Sequence, residues 1–81
     1  MRITNGTDET TEPVVKVGIM PAYLIADGAG SVQLQRRNVA GQWMAYPEMT
    51  FDLPAAKVLD IPKGEYRLVG VGGPMNVEYI A

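Results

Sequence analysis

Glycine and proline punctuate this chain so closely that no window of a dozen residues escapes both. An isolated helix shorter than about 12–15 residues is marginal in water, and an interior glycine or proline costs about 1–3 kcal/mol. An amphipathic helix is therefore not what the sequence encodes. Beyond residue 13 apolar residues recur at every second position instead. Val15, Val17 and Ile19 alternate with Lys16, Gly18 and Met20, and Val32 and Leu34 alternate with Gln33, Gln35 and Arg37. Tyr66 and Leu68 oppose Arg67 and Val69, while Met75, Val77 and Tyr79 oppose Asn76 and Glu78. This period of two belongs to a half-buried strand.

The turns agree with the strands. Asp27-Gly28-Ala29-Gly30, Asn38-Val39-Ala40-Gly41 and Ile61-Pro62-Lys63-Gly64 end in glycine and carry Asp, Asn or Pro at an early position. Such sequences fit a type I turn followed by a left-handed residue, a common hairpin closure, so each is read as joining two antiparallel strands. Strands are expected at 14–20, 22–26, 31–37, 42–46, 49–53, 57–61, 65–71 and 75–80. One short helical turn over Pro54–Leu59, with proline at its first position, is the alternative to the sixth strand's start. Pro21 and Pro47 are expected at strand ends or edges, where a missing donor does little harm.

The fold class is all-β: a compact antiparallel β-sandwich or small barrel of about six to eight short strands. Its expected core is Val15, Val17, Ile19, Val32, Leu34, Trp43, Phe51, Leu59, Ile61, Tyr66, Leu68, Val77 and Tyr79, organised around the single tryptophan. Residues 1–13 read as a polar N-terminal arm, since Thr4–Pro13 contains no apolar residue, and residues 14–81 as a single β-domain. The arm is either frayed or ordered on a partner.

The chain contains no cysteine and no histidine. Disulfide scaffolds, thiol redox chemistry and Ser-His or Cys-His catalytic pairs are excluded, and zinc loses its best ligands. Ser31, the only serine, has no imidazole to activate it. The carboxylates fall on separate segments, without a held pair or the loop spacing of a calcium site. No enzyme activity and no cofactor are expected. Gly70-Val71-Gly72-Gly73 is followed by Pro74 and a strand, whereas a phosphate loop needs a helix behind it, so it reads as a plain connection.

With a formal charge of −2 and seven cations spread along the chain, no nucleic-acid groove or membrane-binding patch is expected, even with Arg36-Arg37 and nearby aromatics. The start Met1–Gly6 lacks a signal peptide's apolar core, so the expected place is a cytoplasm or something assembled there. Without secretion, the sequon Asn5-Gly6-Thr7 is read as chance.

A core this small rarely supplies more than about 3–5 kcal/mol, and small domains add disulfides, a metal or a partner. Association is the staple that remains, with copies of itself or a larger lattice as partner. Apolar residues beyond the core's needs are the candidate contacts: Met20, Tyr23, Met44, Tyr46, Met49, Val69 and Val71. The alternative is that both faces are buried and methionine fills gaps.

Gly30-Ser31-Val32-Gln33-Leu34-Gln35, then Gly41-Gln42-Trp43, then Gly64-Glu65-Tyr66-Arg67-Leu68 resemble the small all-β virion proteins of tailed bacteriophages, of the accessory head and decoration type. The resemblance spans roughly residues 30–80. It implies a structural part present in many symmetric copies of a capsid lattice, located in the virion and assembled in the host cytoplasm without cofactors. A carbohydrate-binding or host-attachment module is the rival from another class, with Tyr23, Trp43, Tyr46 and Gln42 as its sugar-stacking and hydrogen-bonding residues.

Overall fold

Residues 1–18 and 20–80 are described by the computed structural model. In chain order their strands are β1 (Arg2–Gly6), β2 (Glu9–Thr10), β3 (Val14–Lys16), β4 (Ala22–Gly28), β5 (Ser31–Arg37), β6 (Trp43–Asp52), β7 (Ala55–Leu59), β8 (Gly64–Val71) and β9 (Met75–Ile80). Two antiparallel sheets result. The first runs β1-β9-β4-β7, and the second runs β2-β8-β5-β6, with β3 also on β8. The protein is all-β and sandwich-like.

Alternation places the core between the sheets. Ala22, Leu24 and Ala26 of β4 point inward with Val77 and Tyr79 of β9, to meet Val32 and Leu34 of β5 and Tyr66 and Leu68 of β8. Tyr66, not Trp43, is the largest fully buried side chain, and its hydroxyl donates to the Pro62 carbonyl at 2.8 Å. A phenol bonded back to the chain a few residues upstream fixes the corner through which β7 enters β8.

Several expectations change. Residues 1–13 are no solvated arm: β1 pairs with β9, Ile3 opposite Val77, and β2 pairs with β8. Ile3 is buried, and the buried Thr11 hydroxyl accepts from Leu68 N at 3.0 Å in place of a ladder bond. Polar outward residues concealed these strands, because a strand needs only one apolar face.

Val15 and Val17 belong to the surface rather than the core. The strand expected over 14–20 is only Val14–Lys16, and within it the buried position falls to Lys16. A slip of one residue in parity sends every side chain to the opposite face. The Lys16 ammonium reaches the Gly18 carbonyl at 2.7 Å, so its stem packs inside while its head finds an acceptor. Ile19, also expected in the core, lies outside the described residues.

Trp43 lies outside the core cluster, and Phe51 is half-buried against it. Ile3, Ala22, Leu24, Ala26 and Met75 complete the interior instead. The strands expected at 42–46 and 49–53 are one strand, β6, in which the register with β5 jumps between Gln35↔Ala45 and Gln33↔Thr50. Pro47 and Glu48, the latter at φ 62°, stand in that bulge. The short helical turn over Pro54–Leu59 gives way to β7.

Of the three expected hairpins, only Asn38–Gly41 closes one, between β5 and β6. Gly41 N bonds Asn38 O at 3.0 Å, Asn38 N bonds Gln42 O at 2.8 Å, and Gly41 takes φ 82°. Asp27–Gly30 and Ile61–Gly64 instead carry the chain from the first sheet to the second. At the former, Ala29 N donates to Pro74 O and Leu53 N to Gly30 O, both at 3.0 Å. Those long-range bonds, absent from local sequence, convert a hairpin signature into a corner.

Candidate interaction surface

The outward residues of the first sheet build an apolar face. On β4 the residues opposite in parity to the core are Tyr23, Ile25 and Asp27. Register places Tyr23 between Ile80 of β9 and Val58 of β7, and Ile25 between Glu78 and Ala56. Val58 is 64% exposed, Ile25 57%, and Tyr23 and Ile80 45% each. Together they present on the order of 400 Å² of contiguous apolar surface, the size at which a patch on a small protein is often functional.

The other end of this face is polar and internally matched. Arg2 bonds Glu78 at 3.2 Å, and Asn76 donates to Asp27 at 3.2 Å. Between these pairs and Ile25 lies a shallow depression of about 280 Å³. Both pairs are exposed and contribute little to folding. Their effect is to leave no strip of single-signed charge beside the apolar residues.

While this face is open, the sheet edges are blunted. Along edge strand β7, Lys57 pairs in register with the inward Leu24, and its ammonium lies 5.9 Å over the Phe51 ring. An inward-pointing lysine on an edge opposes the approach of another strand. Edge strand β6 carries Pro47 and the bulge, and β1 carries Asn5 at φ 51° with a register shift before Gly6. The last edge is divided between β2 and β3, of two and three residues. Contact through side chains on a face is left open, whereas strand addition is opposed at each edge.

The seven residues expected as contacts do not form one surface. Tyr23 alone stands on the apolar face. Val71 is exposed and Val69 half-buried on the outer side of the second sheet. Met44 is exposed and lines, with Val39 and Pro47, a groove of about 420 Å³. Tyr46 and Met49 pack against the core, the Tyr46 ring 6.0 Å from Tyr66, so these two fill gaps. Met20 is exposed beside Val15 and Val17, around a hollow of about 340 Å³. Ile25, Val58 and Ile80 are not foreseen from the sequence. The signal was available in β4, where alanines at 22 and 26 flank Leu24 and leave Tyr23 and Ile25 to share the opposite parity.

On the outer side of the second sheet, Trp43 lies beneath two guanidinium groups. Arg67 stands 4.6 Å from the ring centre and Arg37 5.7 Å. Arg67 Nε donates to Gln35 Oε1 at 2.7 Å, Gln35 to Gln33 at 2.9 Å, and Arg37 to Glu65 at 3.0 Å. Tyr23, Trp43 and Tyr46 therefore occupy three separate places and share no platform. In the glycine-rich connection, Gly72 N donates to the Asp8 carboxylate at 3.0 Å, so that amide already holds an anion of this chain.

Among the described residues no three Asp or Glu side chains converge as metal ligands. Burial raises the Tyr66 phenol above its ordinary value, with Arg36 opposing, and burial together with Tyr66 pushes Tyr79 up to about 12. Both phenols belong to the core. No family model matches the chain, and no curated protein or solved structure matches it.

Proposed function

We propose that this protein is a non-enzymatic structural component, a capsid-decoration or accessory head protein of a bacteriophage virion, that stabilises a larger lattice through side-chain contacts of its β-domain. The observation that carries the reading is the open apolar face of Tyr23, Ile25, Val58 and Ile80 on a sheet whose edges are blunted. A small core without disulfides gains from covering such a face. In a lattice, many weak contacts add through effective concentration, so a patch of this size suffices per copy. The proposed location follows: the virion, assembled in the host cytoplasm.

Particles purified from the lysate in which this chain is made provide the test. Quantitative mass spectrometry is expected to find the chain at tens to hundreds of copies per particle, and substitution of Ile25 by Glu to reduce that number severalfold while the free protein stays folded. Particles lacking the chain overturn the reading.

A further inference from the structure

Resting on that reading, we propose that the outer face of the first sheet is a two-fold interface with a second copy of this chain, its axis running between β4 and β9 and parallel to them. Such an axis exchanges the two columns of outward residues, so each β4 residue meets the β9 residue of its own cross-strand row. In a two-fold interface every contact occurs twice with the roles reversed.

The rows are matched for this exchange. Tyr23 and Ile80 share a row, so aromatic meets aliphatic twice. Asp27 and Asn76 share another, and the amide-to-carboxylate bond that they make at 3.2 Å within one chain is the pairing that they would offer across the axis. Ile25 shares a row with Glu78, whose carboxylate is held to one side by Arg2 and whose methylenes are left to pack. An axis along β4 itself would set Asp27 against Asp27, and like charges in direct opposition are costly. The chosen axis sets no charged residue directly opposite its own copy: Asp27 faces Asn76 and Glu78 faces Ile25.

Area favours a second copy as well. The molecule measures 32 × 25 × 20 Å, so a broad face can bury about 600–800 Å² per copy, the lower range of specific interfaces. Face-to-face packing of two sheets at a spacing of about 10 Å is a general way for such faces to be covered. The product is a reversible dimer of modest affinity.

Sedimentation equilibrium from about 10 µM to 1 mM tests the proposal. The mass is expected to climb from one copy toward two across this range and no further. Tyr23→Lys and Ile80→Lys are each expected to weaken association at least tenfold, with unchanged near-ultraviolet circular dichroism. Val58→Lys, further from the axis, loses less, and Met44→Lys, on the other sheet, loses nothing. A wild-type chain that remains single at 1 mM, or a dimer indifferent to both Tyr23→Lys and Ile80→Lys, overturns the interface. Should either variant unfold, Asn76→Asp replaces it, setting carboxylate against carboxylate across the axis, and a dimer that this change fails to weaken overturns the interface equally. Particle composition is read separately, so a monomeric chain that is still found in virions removes this interface and leaves the structural reading standing.

Discussion

The Tyr66 hydroxyl donates to the Pro62 carbonyl at 2.8 Å, tying the middle of the core to the corner where the chain leaves the first sheet for the second. The ring packs against Tyr46, with the Arg36 guanidinium 5.8 Å from its centre, and the same Arg36 bonds Lys63 O at 3.0 Å. Two side chains thus hold one short turn. A corner between sheets lacks the ladder bonds that would close a hairpin, and side chains supply them here.

Tyr66→Phe keeps the ring and removes only that bond. The cost expected is about 1 kcal/mol, the usual net value of a hydrogen bond whose acceptor is left behind. Urea titration followed by Trp43 fluorescence measures it as a lower midpoint with an unchanged slope. An unchanged midpoint would show that the corner is held by Arg36 and packing alone.

Tyr79 presents the opposite case. Its hydroxyl is buried without a hydrogen-bond partner among the described residues, so Tyr79→Phe removes a polar atom that gains nothing from its position. Stability is expected to be equal or higher at neutral pH. The folded phenol is pushed up to about 12, so the unfolded chain releases this proton first, near the ordinary value of 10. The folded state then binds more protons than the unfolded, and stability falls as pH rises from about 10 toward 12. Tyr66, also raised, adds to the same loss. Urea midpoints between about pH 8 and 11 should decline more steeply in the wild type than in Tyr79→Phe, and parallel declines would refute the assignment.

Much of this fold is legible because β5, β8 and β9 alternate, β4 is an unbroken apolar run from Ala22 to Ala26, and all four lie between glycine or proline signals. What is not legible has identifiable causes. In and just after β3, Val14, Val15 and Val17 offer apolar residues at both parities, and only packing assigns the inward place to the stem of Lys16. At Asp27–Gly30, residues that suit a hairpin bend serve a corner because their partners, Leu53 and Pro74, lie far along the chain. The candidate surface escapes the sequence for a related reason. Ala22 and Ala26 are poor markers of a core, yet their burial is what turns Tyr23 and Ile25 outward.

Arg67 tests whether Trp43 is held by charge or by shape. Lysine keeps the charge and loses both the guanidinium's contact over the indole, 4.6 Å from the ring centre, and the Nε bond to Gln35. Arg67→Lys is expected to cost about 0.5–1 kcal/mol. Acrylamide should also quench Trp43 more readily. Equal quenching in both proteins would mean that the cation's charge, independent of its geometry, suffices.

Lys57 separates the two ways in which this protein can meet another chain. It stands on edge strand β7 at a position whose neighbour, Leu24, points into the core, and its ammonium lies over Phe51. A strand adding to β7 would have to cover that charge, and this cost opposes edge-to-edge growth. Lys57→Val removes the cost and supplies a β-branched residue suited to pairing. Light scattering at physiological temperature is expected to show slow, concentration-dependent aggregation of Lys57→Val that the wild type lacks. The reversible mass change at lower concentration should persist in this variant, because the Tyr23 and Ile80 face is untouched. Loss of reversible association in Lys57→Val, with the fold intact, would instead place the contact at the β7 edge and remove it from the face.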